Sequence, residues 1–464
     1  MERRPVNKLD HSIIGTIISD LCSNTNLDTQ EYKDFFVSVF FVFFISIHRR
    51  SLTKNIDLNF LESIPTPHND NLLPNLLLAA EQVDATYKNE LCLRETIEHL
   101  ITRAGKENGT AFTQACLQLC DVVSKNEFPA VAGDCFEKII QSFSEIQGKK
   151  AGEAYTPREL VEMMVEIVEP RGGESVYDPA CGSGGFLISA NTKALNSKSN
   201  APLQVHGREI NLSAARIARI NCIVHGIIDS DIRTSDSLQT LEVSAYDIVL
   251  ANPPFSLATD SYERSATCSY FDFGTPPPNN ADFAFLQMII KSLKPGGRAA
   301  VLIPNGVLFR SGVEGAIRKK IIQAGIIESV ISLPAGMLKN TGIPTAILVL
   351  KKPGAPNKPI LLIDSAEAEK HISDDLPTSL KHLFSSTIEK YKNFEEIEGI
   401  SKLITTDELE RNSYILNISR YMLTQQMQKA SLPDLTRKQR ELEDRLAELQ
   451  RELRELLTEN DMSI

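Results

Sequence analysis

The stretch that decides the fold is Val176-Tyr-Asp-Pro-Ala-Cys-Gly-Ser-Gly-Gly-Phe186. It predicts a short buried strand, a glycine turn, and a helix that runs from Phe186 to about Leu195. Gly182, Gly184 and Gly185 have no Cβ, so they allow a sharp bend and a close approach of the backbone to a ligand. The first N–H groups of the helix would face a carboxylate or a phosphate at this turn.

A second segment, Ile248-Val-Leu-Ala-Asn-Pro-Pro-Phe255, predicts a buried strand that ends in an unusual turn. Two consecutive prolines fix φ and remove two N–H donors, which leaves the Pro253 carbonyl for a ligand amine. Phe255 would be an exposed ring, which is costly unless something stacks on it. A rigid turn leaving a strand is the plain alternative, and we favour a functional role.

Acidic residues end the two strands predicted between these segments. Glu209 closes Leu203–Ile210, and its carboxylate could accept from ribose hydroxyls. Asp236 closes a short third strand and could accept from an adenine amino group, although a solvated loop acid is an equal alternative. Because ligands bind at the carboxyl ends of strands in open α/β sheets, Asp178, Glu209, Asp236 and Asn252 should converge on one crevice. The absence of a Gly-x-Gly-x-x-Gly pattern disfavours a dinucleotide.

Strands and helices alternate over about two hundred residues, which predicts a doubly wound α/β fold. We expect a mostly parallel, Rossmann-like sheet of seven strands, with 360–364 continuing it, an N-terminal helical domain and a C-terminal helical, coiled-coil tail. Lys294–Gly297 is predicted to be a tight turn, and 256–280 a long loop over the site. The expected divisions are 1–147 (helical domain), 148–365 (α/β domain), 366–430 (helical extension) and 431–464 (coiled-coil-like helix for subunit contact).

Tyr155-Thr-Pro-Arg-Glu159 precedes an amphipathic helix. Thr156 fits an N-cap with Pro157 at the first helical position, and Glu159 would complete a capping box. A well-capped helix is the plain interpretation. The neighbouring motifs favour a functional one, in which Tyr155 lies across a cofactor bound at the glycine turn.

The N-terminal part contains an apolar run, Phe35–Ile47, that is shorter than the roughly 18 residues a membrane span needs. We interpret it as a buried helix and expect a cytoplasmic protein without a membrane contact. Cys116 and Cys120 lie four residues apart, as on one helix face, and no second ligand pair accompanies them, so no metal site is predicted. The net charge of −11 means that DNA binding would need a local basic face or a basic partner.

Leucines recur every seven residues near the C-terminus, with two more between them. A narrow apolar seam with charges elsewhere is typical of a coiled coil that seeks a partner helix, and a helix that caps its own domain is the alternative. The seam consists of Leu435, Leu442, Leu446, Leu449, Leu453 and Leu456.

Several motifs in order resemble the amino-type DNA adenine methyltransferases, and in detail the modification (M) subunit of type I restriction–modification systems. They cover about residues 148 to 364. The motifs are Tyr155-Thr-Pro157, Asp178-Pro-Ala-Cys-Gly-Ser-Gly-Gly185, Glu209, Asn252-Pro-Pro-Phe255, Leu293-Lys-Pro-Gly-Gly297 and Leu302-Ile-Pro-Asn-Gly306.

The resemblance implies S-adenosylmethionine as cofactor and N6 of an adenine flipped out of double-stranded DNA as acceptor. Asn252 and Pro253 would accept the N6 hydrogens and Phe255 would stack on the base, so these three are the catalytic residues. Asn252, Pro254 and Phe255 would contact the base. The implied cofactor residues are Tyr155, Thr156, Asp178, Ala180, Gly182, Gly184, Gly185, Phe186, Glu209 and Asp236.

The implied partners are DNA and a specificity (S) subunit that binds the C-terminal helix, with two copies of this chain for each S subunit; a restriction (R) subunit is a further candidate. Three alternatives remain open: a stand-alone DNA adenine methyltransferase, a methyltransferase that acts on protein glutamine or RNA, and a non-enzymatic subunit that binds the cofactor and senses methylation for a nuclease. The sequence determines neither the DNA target nor the stoichiometry.

Overall fold

The structure is a computed structural model. The residues that it describes are 16–17, 28–52, 72–88, 90–105, 109–125, 132–147, 156–197, 200–240, 242–258, 271–334, 336–338, 342–355, 357–365, 380–422, 436–437, 439–446, 448–449 and 451. Tyr155, predicted to contact the cofactor, therefore lies outside the described residues.

Helices form the described part of the chain before the sheet. They are α1 (Thr29–Leu52), α2 (Leu72–Thr86), α3 (Leu93–Ala104), α4 (Gly109–Lys125) and α5 (Ala132–Gln147). The apolar run lies in α1, and its phenylalanines from Phe35 to Phe44 are each at most 1% exposed, which confirms the buried-helix interpretation. Within the described ranges, none of the helices is both long and apolar enough to cross a membrane.

The sheet follows, and its strands alternate with helices. The strands are β1 (Ser175–Asp178), β2 (Gln204–Glu209), β3 (Asp231–Thr234), β4 (Tyr246–Ala251), β5 (Leu293–Pro304), β6 (Ile327–Ser332), β7 (Thr345–Lys351), β8 (Ile360–Asp364) and β9 (Ser401–Ile404). The helices are α6 (Arg158–Val168), α7 (Gly185–Leu195), α8 (Leu212–Val224), α9 (Asp282–Ser292), α10 (Gly306–Phe309), α11 (Gly312–Gln323), α12 (Leu380–Asn393) and α13 (Thr406–Arg411).

The strand order is β3-β2-β1-β4-β5-β7-β6-β8-β9. β1 to β5 pair in parallel, β7 runs antiparallel between β5 and β6, and β9 is antiparallel to β8. The chain moves outward from β1 to β2 and β3 and then returns to β4 on the other side of β1. This reversal opens a crevice at the carboxyl ends of β1 and β4, where open α/β sheets bind ligands.

Alternate residues of the strands enter separate cores on the two faces of the sheet. In β4, Ile248 and Leu250 join the core formed with α6, α7, α8 and α12, whereas Val249 and Ala251 join the core formed with α9 and α11. A two-residue period that feeds two helical layers is the doubly wound arrangement. The predicted fold class is therefore confirmed.

Details of the predicted sheet need correction. Within the described residues it has nine strands rather than seven. β9 lies in the region predicted to be a helical extension. The sequence does not predict it, because the apolar pattern of a four-residue edge strand is too short to be recognised. Lys294–Gly297 does not form a separate turn. These residues interrupt the pairing of β4 with β5, and Gly296, with φ of +84°, supplies the left-handed conformation there.

The N-terminal helices pack directly on the α/β unit through α8. Ile217, Ile220 and Ile223 of α8 belong to the same buried cluster as the phenylalanines of α1. At the edge of this contact, Nη2 of Arg216 lies 2.9 Å from Oδ1 of Asp34. One helix thus serves two cores, so the position of the helical region relative to the sheet is fixed.

Helical residues recur between 436 and 451. In this segment Leu442, Leu446 and Leu449 of the predicted seam are 64%, 56% and 47% exposed. The remaining seam leucines, Leu435, Leu453 and Leu456, lie outside the described residues.

Candidate functional site

The glycine turn joins β1 to α7. Gly182 and Gly184 have φ of +51° and +86°, a region that residues with a Cβ rarely adopt. Gly184 is the N-cap of α7, and its N–H donates to the Cys181 carbonyl at 2.7 Å. Helix α7 therefore begins directly after the turn that leaves β1, and its N-cap has no side-chain hydrogen bond.

Asp178 ends β1 and is 1% exposed. Its Oδ1 accepts a hydrogen bond from the Ala180 N–H at 3.0 Å. Burial raises the pKa of Asp178 to about 8, and the nearby negative charge of Glu209 acts in the same direction. The site therefore holds a carboxyl group whose ionised form would be favoured by a cationic ligand.

Glu209 ends β2 and reaches back to the glycine turn. One of its carboxylate oxygens accepts from the Gly182 N–H at 2.9 Å, and the other accepts from the Asn211 N–H at 2.9 Å. Each oxygen keeps a further lone pair for a ligand hydroxyl. Glu209 thus links the turn to the next strand and remains half-buried at the crevice.

Asp236 lies two residues beyond β3, where its Oδ1 accepts from the Leu238 N–H at 2.9 Å and starts a 3₁₀ turn. Beside it, the Ser235 hydroxyl is buried without a hydrogen-bond partner among the described residues. A buried hydroxyl of this kind is costly unless a ligand or water satisfies it. No pattern in the local sequence distinguishes Ser235 from an ordinary loop serine.

Asn252 follows β4, and its Nδ2 donates to the Thr156 hydroxyl oxygen at 2.9 Å. Helix α6 begins at Arg158 with Pro157 as its N-cap and no side-chain cap hydrogen bond, so the predicted Thr156 cap and capping box are wrong. Pro157 has the extended ψ of 139°, which delays the start of the helix and leaves Thr156 at the sheet edge. Pro253 is buried, Pro254 is exposed, and Phe255 is half-buried rather than fully exposed as expected.

These side chains border one cleft of about 1290 Å3, here called the strand-end cleft. Gly184 is not among its lining residues, and a Cβ at this position would lie 3.6 Å from the Cβ of Ala218 in α8. The predicted residues that line it are Thr156, Asp178, Ala180, Gly182, Gly185, Phe186, Glu209, Asp236, Asn252, Pro253, Pro254 and Phe255.

The walls of the strand-end cleft include residues that sequence reasoning missed. They are Lys33 of α1, Glu137 of α5 and Phe384 of α12, among others. These residues are far from the motifs in sequence, and nothing in their local pattern distinguishes them from an ordinary helix. Only packing of the helical layers brings them to the site.

A family model described as N-6 DNA methylase matches residues 129–430, well over half of the chain. The chain belongs to the N-6 DNA methylase family. The matched span contains β1 to β9 and every described residue of the predicted site, so the strand-end cleft is the candidate active site of this family member.

Curated relatives are methylase subunits of type I restriction enzymes. The chain is 30% identical over 311 residues to the MjaIX subunit of Methanocaldococcus jannaschii. This alignment covers 63% of this chain and 55% of that protein. It is 30% identical over 314 residues to the HindI subunit of Haemophilus influenzae, covering 65% of this chain and 71% of that protein. The matches therefore span 55% and 71% of the length of these two relatives.

Solved structures share the fold over nearly the whole chain. The type I methyltransferase subunit of Streptococcus thermophilus superimposes with a TM-score of 0.66 at 26% identity, covering 88% of this chain and 98% of that chain. A chain from a study of type I complex assembly gives 0.65 at 22% identity, covering 99% and 100%. At the latter identity the likeness establishes the fold alone.

Proposed function

We propose that this N-6 DNA methylase transfers a methyl group from S-adenosylmethionine to N6 of an adenine in double-stranded DNA, as the modification subunit of a type I restriction–modification complex. The observation that carries the proposal is the convergence of three carboxylates and Asn252-Pro-Pro-Phe255 on the strand-end cleft. Family membership and similarity to type I methylase subunits support it.

The residues of the cleft fit S-adenosylmethionine. Glu209 offers lone pairs to ribose hydroxyls, Asp236 accepts from an adenine amino group, and Asp178 can pair with an ammonium group. Ser235, which directly precedes Asp236, also lines the cleft. Its hydroxyl has no partner among the described residues, which supports a polar ligand at this position. When bound, the cofactor supplies an electrophilic methyl group.

The Asn252-Pro-Pro-Phe255 segment provides the acceptor half of the site. The target amine is inaccessible inside a duplex, so the adenine must be flipped out, and Phe255 stacks on it. The Asn252 side-chain oxygen and the Pro253 carbonyl accept the two N6 hydrogens, which directs the nitrogen lone pair at the methyl group. Both acceptors also stabilise the positive charge that N6 carries until a proton passes to water. The rate arises mainly from holding two substrates in this geometry.

The proposed partners follow from the C-terminal leucines. Leu442, Leu446 and Leu449 are exposed on a helical segment whose other described residues are mostly charged, as expected of a seam that binds a partner helix. We assign this seam to the specificity subunit, which reads the DNA sequence, in a complex with two copies of this chain. A restriction subunit would complete a nuclease complex.

The test is to express the chain alone and with its candidate specificity subunit and to sequence host DNA for N6-methyladenine. We expect a methylated motif that requires the partner and disappears with Asn252→Ala, while the exposed Asn393→Ala control keeps it. Loss of the Asn252 acceptor should cost about 100-fold or more in rate.

Other outcomes would point elsewhere. Methylation by this chain alone would indicate a stand-alone enzyme. No methylated DNA with either preparation would contradict the proposal and favour a protein or RNA acceptor, or a sensing role.

A further inference from the structure

The backbone directly after Phe255 is held in an unusual conformation by helix α9. Ser256 has φ of +51°, in the left-handed region that residues other than glycine rarely adopt. Its N–H donates to Oδ1 of Asp282 at 2.8 Å, and the Ala281 N–H donates to the Leu257 carbonyl at 2.9 Å. Ser256 and Leu257, which directly follow the Asn252–Phe255 segment, are thus hydrogen-bonded to the start of α9.

Asp282 is buried, with a side chain that is 3% exposed, and both of its oxygens are used. The second oxygen, Oδ2, accepts from Nη1 of Arg310 at 2.9 Å. The N-cap of α9 is Ala281, without a side-chain cap, so the Asp282 carboxylate does not cap its own helix. Its hydrogen bonds go to the loop and to Arg310, and burying a carboxylate is costly without such partners.

Arg310 reaches Asp282 because Gly306 has no side chain. A Cβ at Gly306 would lie 2.5 Å from Nε of Arg310, so any other residue would displace the guanidinium. Arg310 is also fixed by Glu314, whose Oε1 accepts from Nη1 at 2.8 Å. Gly306, the last residue of the Leu302-Ile-Pro-Asn-Gly306 motif, thus leaves room for the Arg310 side chain.

We propose that Asp282, held by Arg310, is a positioning residue that fixes the Ser256 backbone and thereby the ring of Phe255 for stacking on the flipped adenine. This inference rests on the proposed function for its catalytic consequence. Asp282 is bonded on one side to Ser256, 26 residues earlier in the chain, and on the other to Arg310, 28 residues later. The series of hydrogen bonds therefore ends at Ser256, the residue that directly follows Phe255.

The experiment compares Asp282→Leu, which removes both acceptor oxygens at similar volume, Arg310→Met and the double variant in the full chain with its specificity subunit. We expect each single variant to lower kcat about 10- to 100-fold, because a small displacement of the acceptor base is costly. The dissociation constant of S-adenosylmethionine should change less than about twofold, since the cofactor residues are untouched. The double variant should be no worse than the single ones, because the two residues act as a unit.

A variant at Gln287 and hydrogen exchange at the Ser256 amide distinguish a positioning role of Asp282 from a general loss of stability. Gln287 lies on the same helix as Asp282, accepts from the Phe273 N–H and donates to the Gly274 carbonyl. Gln287→Met removes these two hydrogen bonds, so it should lower the free energy of unfolding as the Asp282 variant does, without removing a hydrogen bond of Ser256. Hydrogen exchange reports the Ser256 amide directly and needs no DNA: the amide should lose protection in Asp282→Leu and Arg310→Met but not in Gln287→Met.

The results separate this inference from the proposed function. Normal kcat and normal Ser256 protection in a folded Asp282→Leu variant would overturn the inference alone. Equal kcat losses in Gln287→Met, or loss of cofactor binding in parallel, would also overturn it, since the role would then be general stability. A wild-type complex that does not methylate adenine would contradict the proposed function, while the exchange data would still decide whether Asp282 holds Ser256.

Discussion

The hydroxyl oxygen of Thr156 lies 2.9 Å from the amide nitrogen of Asn252, across 96 positions of sequence. The bond occupies the nitrogen end of a planar amide and so fixes which way the amide faces. The oxygen of the same amide is the atom that the proposed mechanism needs as an acceptor. In the proposed mechanism Thr156 would therefore contribute to the acceptor half of the site. The helix cap predicted for it is absent, and the predicted cofactor contact stays a prediction.

Replacing the Thr156 hydroxyl tests this contact. We expect Thr156→Val to lower kcat about 3- to 10-fold, the value of one neutral hydrogen bond, because the Asn252 amide loses its orientation. Thr156→Ser keeps the hydroxyl and should restore the rate. Steady-state kinetics measures kcat of both variants, and isothermal titration measures their affinity for S-adenosylmethionine. A weakened cofactor affinity at unchanged kcat would instead favour the cofactor contact predicted from sequence.

Ser235 tests the cofactor site. Ser235→Ala should weaken S-adenosylmethionine binding about 3- to 10-fold, because a ligand hydrogen bond is lost. The free energy of unfolding of this variant should stay within about 0.5 kcal/mol of wild type, since the hydroxyl has no partner among the described residues. Ser329→Ala is the matched control: its hydroxyl donates to the Leu361 carbonyl at 2.7 Å, so it should lose stability but not affinity. The opposite pattern would contradict the assignment of Ser235.

Phe255 tests base stacking. Phe255→Ala should weaken the binding of the flipped adenine by about 1–3 kcal/mol, the usual contribution of an aromatic side chain that stacks on one base. Phe255→Trp should retain most of it. Fluorescence of 2-aminopurine at the target position reports the flipped base, and an unchanged signal in Phe255→Ala would rule out the stacking role.

Asp178 predicts a pH dependence of stability. Its pKa is about 8 in the folded protein and near 3.8 when unfolded, so between these values the folded state holds a proton that the unfolded state has lost. The contribution of Asp178 to stability is therefore present below about pH 4 and is lost as pH rises through about 8. Asp178→Asn removes this titration. The free energy of unfolding of the variant relative to wild type should rise from pH 5 to pH 8, and a constant difference would contradict the raised pKa.

The C-terminal seam tests the partner. Substituting glutamate for Leu442, Leu446 and Leu449 should abolish co-purification of the specificity subunit, because charges replace the apolar seam. Cofactor affinity should be unchanged. Neutralising exposed charges in the same segment, as in Glu441→Gln and Glu448→Gln, should preserve the complex. If the leucine variant still assembled, the partner would bind elsewhere.

The sequence alone determined the strand-end chemistry. The glycine turn, Glu209 and Asn252-Pro-Pro-Phe255 each follow a strand with a strong apolar pattern, and parallel strands bring their carboxyl ends to one edge. That rule was enough to predict that the motifs meet in one cleft. β4 shows the same principle locally, because the alternation of its side chains between two cores requires the strand to lie inside a covered sheet.

Only the tertiary structure decided which residues support that chemistry. The bond of Thr156 to Asn252, the hold of Asp282 and Arg310 on Ser256, and the cleft walls from α1, α5 and α12 all join segments that are remote in sequence. Local patterns determine backbone conformation and which face is apolar, whereas these contacts depend on how helical layers pack on the sheet. β9 was missed for the same reason, since a short edge strand is fixed by its partner β8 rather than by its own four residues.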